Sequence, residues 1–494
     1  MIFVTALSVT ERFLGFVYRI YLSRTIGSEG LGVYQIALTV FGLLLTITSS
    51  GTPITVSRMM TRFKAENNPS AAHSTVTSGM IFSLLLSMPI VLIFFVLGGK
   101  LSFIFSDPRS LELLLIILPG LIITSVYAVV RGSFWGNKDF LSYSVIELLE
   151  EAVMLVAGVL LIHFATSSLS GMRRAAWAVV ISYVFSFVAG TITYFTKGGK
   201  LKNPFKPLLP LASSSAPITG MRTATSLINS LIAVILPARL IAFGLSQVEA
   251  VSQFGAAFGM AVPILFMPGT LIGSLAVVLV PELAENFYKK QAQTLKNNIE
   301  KALRFSFFVS CMIFPVLLAF GENLGVFFYD SPEAGRYLSY SAIVVLPMSI
   351  TMISTSMLNS MNMERKTLLY YLFGAAFMLL CIFFLPKYIG IYALAVGMIG
   401  QFAITAVLNL VSLGKKLKAK LDFIGFALKS FIFTVPSALF GVMLKNVLST
   451  VCPDAVICIA GGLCVAAFNF ALYLVFGMVK SPERKGKNYK KATV

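Results

Sequence analysis

Val76-Thr-Ser-Gly-Met-Ile-Phe-Ser-Leu-Leu-Leu-Ser-Met-Pro-Ile-Val-Leu-Ile-Phe-Phe-Val-Leu97 contains no charged side chain. As a helix rising 1.5 Å per residue, the run would reach about 33 Å. The hydrocarbon core of a bilayer is about 30 Å thick. Runs of comparable length recur along all 494 residues, at 2–22, 31–56, 76–97, 110–130, 141–162, 175–195, 212–238, 250–280, 302–326, 337–360, 367–386, 390–413, 423–444 and 455–478. The chain is 57% hydrophobic and 12% charged, with a mean hydropathy of +0.87. A soluble domain carries roughly 25% charged residues. So apolar a chain needs an apolar solvent, and the expected fold is an all-α membrane protein of about fourteen transmembrane helices.

The net charge of +19 invites a nucleic-acid reading, but position argues against it. The basic residues sit in short loops between apolar runs, without a basic domain or interleaved aromatics, so no nucleic-acid partner is expected. With the N-terminus in the cytoplasm, the inside loops and tail hold twenty-six Lys and Arg, among them Arg58, Arg62 and Lys64, then Arg131 and Lys138, then Lys289 to Arg304. The outside loops hold nine, including Arg24, Arg109, Arg239 and Arg336. The bias alternates loop by loop, which places both termini in the cytoplasm of a cell-membrane protein. The first run carries Glu11, Arg12 and Arg19 with no A-x-A-like site after it, so it reads as a retained helix. Five Cys without a CxxC pair read as packing residues, and His73 and His163 are too far apart in sequence to suggest a ligand cluster. No cofactor or metal is expected.

The chain also repeats itself. Arg19 to Tyr34 and Arg239 to Phe254 have equal spacing, each reading as a helix end, a short loop and the next helix start. Pro119 precedes Arg131 as Pro347 precedes Asn359. The stretches Trp135-Gly-Asn-Lys-Asp-Phe140 and Met363-Glu-Arg-Lys-Thr-Leu368 align at nearly the same offset, as do Tyr143 and Tyr371. Six helices per half give two lobes of equal orientation, 1–200 and 207–415, around a central cavity, an arrangement that secondary transporters use. Two further helices (421–480) and a basic tail (481–494) fall outside the repeat.

Charges inside apolar runs are the costly residues, at about 2.5–3.5 kcal/mol near the bilayer centre. Arg12 and Arg19 are two turns apart and share a helix face, with Glu11 on its flank. Thr219, Arg222, Ser226 and Asn229 form a polar stripe on the seventh run. With Arg24 and Arg239 at the helix ends, these arginines suit a diphosphate, because guanidinium offers a planar fork of donors. Glu147 and Glu151 are one turn apart and suit ion pairing or proton coupling. A cavity half open to membrane lipids would let a polar head pass while its tail stays in the bilayer.

Three stretches carry a resemblance. Glu11-Arg-Phe-Leu-Gly-Phe-Val-Tyr-Arg-Ile-Tyr-Leu-Ser-Arg-Thr-Ile-Gly27 with Glu29-Gly-Leu-Gly-Val-Tyr-Gln35 is the first. Arg131-Gly-Ser-Phe-Trp-Gly136 followed by Glu147 is the second. Gly259-Met-Ala-Val-Pro-Ile-Leu-Phe-Met-Pro268 with Val280-Pro-Glu-Leu-Ala284 is the third. They resemble polysaccharide-biosynthesis exporters of the multidrug/oligosaccharidyl-lipid/polysaccharide (MOP) superfamily, in its stage V sporulation protein B-like, MurJ-related branch. The resemblance implies alternating access, outward flipping of an undecaprenyl-diphosphate-linked saccharide, and cell-wall synthesis proteins as partners. It matches Arg12 and Arg24 to motif arginines.

A cation-coupled multidrug exporter of the same superfamily is the main alternative, and it would need acidic residues in an apolar cavity. A membrane glycosyl-polymer ligase would need a long outside loop, and every outside loop here is short. An ATP-driven pump would need a Walker A motif, which the sequence lacks. The topology has a direct test. Reporter fusions at Lys290 and at Glu333 should report opposite sides of the membrane, and the same side for both contradicts the fourteen-span arrangement.

Overall fold

The structure, a computed structural model, describes residues 2–289, 291–417, 421–450, 453–476 and 478. Cys452, Lys290, Lys418, Lys420, Lys480 and the basic tail 481–494 lie outside the described residues. Every regular element described is helical. In order these are α1 (Ile2–Ser49), α2 (Thr52–Ala65), α3 (Pro69–Leu101), α4 (Pro108–Ile117), α5 (Pro119–Gly136), α6 (Phe140–His163), α7 (Ser168–Thr196), α8 (Phe205–Ala242), α9 (Gln247–Phe254) and α10 (Val262–Tyr288). They continue with α11 (Ala292–Tyr329), α12 (Pro332–Ser341), α13 (Val345–Ser360), α14 (Glu364–Phe384), α15 (Pro386–Ile389), α16 (Ala393–Leu417), α17 (Ile424–Leu448), α18 (Asp454–Val456) and α19 (Gly462–Val475). A π-helical segment, Gly255–Ala261, joins α9 to α10.

Polar caps punctuate the apolar runs. The Asn68 and Asp107 side chains accept from the N–H groups of Ala71 and Arg109, each with a proline as the first helical residue. Ser167 and Ser246 form capping boxes at the starts of α7 and α9. Asp107 also receives the Arg109 guanidinium at 2.6 Å, and Arg109 reaches Glu29 at 2.6 Å. Burial alone would raise the Asp107 carboxyl, but the Arg109 donors outweigh it and hold the group below the ordinary carboxylate range.

Among the described residues, eleven helices are long and apolar enough to cross a membrane, or twelve with the bent α4–α5 pair counted as one span. The expected fourteen are not confirmed on that criterion, and two local features account for the difference. The loop expected between the first two runs is a single residue, Gly27, with φ 73° and ψ 179°. That backbone region is essentially open only to glycine, so one helix runs to Ser49 with a break rather than a loop. The helix α6 is long enough to span, but Glu147, Glu150 and Glu151 lie within it. Prolines shape the others: α4 and α5 meet at 45° beside Pro119, and α8 carries Pro210, Pro217 and Pro237. Arg24 and Arg239 were expected in outside loops and are instead helical, in α1 and α8.

Contacts divide the chain into two compact units. The first runs to Pro263 and adds Phe328–Ala334 and Tyr371–Gln401; the second holds Ile264–Phe327, Gly335–Tyr370 and the described residues from Phe402 onward. In the first unit, α5 is a central helix. Its Tyr127, Val129, Val130 and Phe134 pack with Val56, Met60 and Val76 in a buried cluster. In the second, Phe320 of α11 packs with Ile457 and Val465, and Asn469 donates to the Cys311 carbonyl at 2.8 Å. Cys311, Cys381 and Cys458 are free and buried, and Cys464 is free and exposed.

A close approach in the first unit brings α1 against α9 and the π-helical segment. A Cβ on Gly255 would lie 2.0 Å from the Ser28 carbonyl oxygen, and one on Gly32 would lie 2.2 Å from that of Val251. The Ser28 and Ser252 hydroxyls bond at 2.6 Å beside them. Gly255→Ala should therefore force the two backbones apart and cost about 1–3 kcal/mol. Thermal unfolding of the purified protein in detergent measures this, and an unchanged midpoint contradicts the packing.

Candidate functional site

The site grows from the α5–α6 hairpin. Asn137, Lys138 and Asp139 make the turn, with Lys138 at φ 59° and the Asp139 carboxylate capping α6. Arg131 and Glu147 stand at similar distances from that turn and so meet across the hairpin. The Arg131 Nη1 donates to Glu147 Oε1 at 3.2 Å, and the Tyr143 hydroxyl donates to Glu147 Oε2 at 3.1 Å. The guanidinium also lies 5.5 Å from the Trp135 ring centroid. This corrects the loop assignment of Arg131. The helix α5 continues to Gly136, so Arg131 lies inside it, half-buried and ion-paired, and leaves the inside-loop charge count.

A pocket of about 270 Å³ opens beside this pair, entirely within the first unit. Leu45, Thr46 and Ser49 of α1 and the adjoining Ser50 line it, with Thr124, Tyr127, Ala128 and Arg131 of α5, Glu147 and Glu150 of α6, Tyr183 of α7 and Arg222 of α8. Three lining groups keep unused polar atoms. Tyr127 is 2% exposed, yet its hydroxyl has no partner, and the buried Arg131 Nε and Ser50 Oγ have none either. Left dry, each would cost about 1–3 kcal/mol. The Glu150 carboxylate meets the Ser186 hydroxyl.

Of the residues nominated from sequence, Arg222 and Glu147 line this pocket. Arg12 is exposed on α1 and is not among the lining residues. Glu11 is half-buried within electrostatic reach of Arg12, Arg131 and Glu147. Glu151 lies within reach of Glu11 and Arg19, with its carboxylate against Gly15.

Four arginines share one kind of partner. Arg19 donates to the Gly259 carbonyl at 2.9 Å, Arg24 to Phe328 at 3.0 Å, Arg222 to Ser50 at 3.2 Å and Arg239 to Phe383 at 2.9 Å. Each of these carbonyls stands three or four residues before a proline, namely Pro263, Pro332, Pro53 and Pro386. An α-helical carbonyl is closed by the N–H four residues on, so Pro263 and Pro332 offer no such donor to Gly259 and Phe328, whereas Ser50 and Phe383 stand three residues before their prolines. Arg239 also lies over the rings of Phe383 and Phe243, at 4.1 and 4.6 Å. These arginines therefore tie one helix to backbone elsewhere in the chain, and a guanidinium carries five N–H donors in all.

Sequence reasoning overlooked Arg131 and Tyr127 as site residues. The hairpin register was available for Arg131, since a polar turn at 137–139 sets the residues on either side of it face to face. Nothing local marked Tyr127; only the packing shows that its hydroxyl has no partner. Among the described residues no group of His, Cys, Asp and Glu could hold a metal ion.

The family model for polysaccharide biosynthesis proteins matches residues 1–287. The chain is 26% identical over 501 aligned positions to stage V sporulation protein B of Bacillus subtilis (strain 168), covering 97% of this chain and 95% of that one. Its fold resembles the inward closed conformation of the lipid II flippase MurJ, with a TM-score of 0.68 and 14% identity over 97% of this chain and 100% of that one. It also resembles an inward-facing multidrug resistance MATE family transporter of the MOP superfamily, with a TM-score of 0.71 and 16% identity over 83% of this chain and 94% of that one. At these identities the two structural likenesses are likenesses of fold.

Proposed function

We propose a transport function from one premise: the chain belongs to the polysaccharide biosynthesis protein family. It is a multi-pass membrane protein with the fold of MOP-superfamily transporters. The proposed activity is outward movement of an undecaprenyl-diphosphate-linked saccharide across the cytoplasmic membrane by alternating access. Transport, rather than catalysis, is the proposed role. Two lobes, 1–200 and 207–415, would carry the motion, and both termini would face the cytoplasm.

The observation that carries this reading is a polar pocket within membrane helices, lined by Arg131 and Arg222 and holding buried polar atoms without partners. A lipid substrate with a polar head needs a wet, hydrogen-bonding enclosure inside the bilayer, and an apolar drug does not. The likeness to stage V sporulation protein B and to a lipid II flippase supports the same class of cargo. Arg12, Arg19, Arg24, Arg222 and Arg239 are the proposed diphosphate contacts. Arg222 leads among them because it alone of the five lines the pocket. Glu11, Glu147 and Glu151 are proposed as ion-pairing or coupling groups.

In proteoliposomes, the wild-type chain should translocate a fluorescent undecaprenyl-diphosphate-linked saccharide. Arg222→Ala should abolish translocation while the protein still inserts. Arg222→Lys should restore only part, because ammonium keeps the charge and loses the bidentate fork. Full activity in the Ala variant would remove Arg222 from the diphosphate site. Absence of wild-type translocation would remove the proposed cargo.

A further inference from the structure

The charge balance of the pocket indicates what it holds. Arg131 is neutralised by Glu147 at 3.2 Å. Arg222 and Glu150 are the two remaining ionisable lining groups. With Arg222 turned to a diphosphate, the rest of the pocket offers no unpaired cation. A second anionic group there would meet the Glu147 and Glu150 carboxyl groups and no free cation. A neutral group that both donates and accepts hydrogen bonds needs no such cation.

The unused atoms point the same way. The Tyr127 hydroxyl and Arg131 Nε offer donors without partners, and Ser50 Oγ can donate or accept. Glu147 and Glu150 offer carboxylate acceptors a few residues apart on α6. Donors and acceptors interleaved around a volume of about 270 Å³ fit the alternating hydroxyls of one pyranose ring. In a diphosphate-linked saccharide the first sugar is bonded directly to the diphosphate, so an arginine on the phosphate and a polyol pocket beside it match the order of groups in the substrate.

We propose that this pocket is a sugar subsite that takes the first, neutral ring of the transported saccharide, with Tyr127, Arg131, Glu147 and Glu150 as its hydroxyl-binding groups. The inference deepens the transport reading and rests on it for the identity of the ring.

Trp135, beside Arg131, is a built-in reporter. The chain has two tryptophans, and the other, Trp177, is exposed on α7. Full-length Trp177→Phe protein in lipid nanodiscs is titrated with glucose, galactose and N-acetylglucosamine, and separately with inorganic pyrophosphate. At least one sugar should change Trp135 emission saturably. Adding Tyr127→Phe should weaken that response roughly five- to tenfold, the loss of one hydrogen bond. Glu150→Gln should weaken it too, and pyrophosphate should give no response at this reporter. A response to pyrophosphate with the sugars silent makes the pocket an anion site and overturns the proposal, and silence with every probe overturns it as well. The proteoliposome assay separates the two readings. Translocation unchanged in both Tyr127→Phe and Glu150→Gln sinks the subsite and leaves transport standing. Sugar binding in a chain that translocates nothing supports the pocket and sinks the transport reading.

Discussion

A guanidinium buried among apolar helices must be met by an acceptor, and the whole candidate site follows from how Arg131 meets that demand. Glu147 answers it at 3.2 Å from across the α5–α6 hairpin. A charge taken out of water among membrane helices is costly, and pairing offsets part of that cost for both partners. Pairing also fixes the register of the two helices, with Tyr143 holding the second carboxylate oxygen. The polar pocket opens beside this pair, and Tyr127 and Ser50 bring to it polar atoms that no protein group satisfies.

The other arginines obey the same demand by a different route. Arg19, Arg24, Arg222 and Arg239 each donate to a backbone carbonyl, and those met by Arg19 and Arg24 stand four residues before a proline that has no N–H to offer them. A membrane helix broken in lipid would expose that carbonyl to hydrocarbon. The arginine and the broken helix therefore stabilise each other. Such contacts let a helix bend without leaving an orphaned backbone group.

The helices were largely legible in the sequence, because a spanning segment must be apolar for about twenty residues and Asn68, Asp107 and Ser167 mark where the next one begins. Gly27 was not legible as a break, since a glycine beside Arg24, Ser28 and Glu29 reads equally well as a loop. The polar stripe on α8 singles out Arg222 and the one-turn spacing on α6 singles out Glu147, and both line the pocket. Arg131 falls just past the apolar run 110–130 and so reads as a loop residue, whereas α5 continues to Gly136. The carbonyl partners of the arginines lie 144 to 304 residues away, and no local pattern could pair them.

The central claim is that water and a polar ligand occupy the pocket inside the membrane helices. Cysteine labelling tests it most directly, in a background where the five native cysteines are replaced. Thr46→Cys, on the pocket wall, should react with a water-soluble maleimide, and an undecaprenyl-diphosphate-linked saccharide should protect it. Leu92→Cys, exposed on α3 in an apolar run, should stay unreactive as a lipid-facing control. A Thr46→Cys side chain that reacts no faster than Leu92→Cys would show the pocket to be dry and would contradict the account.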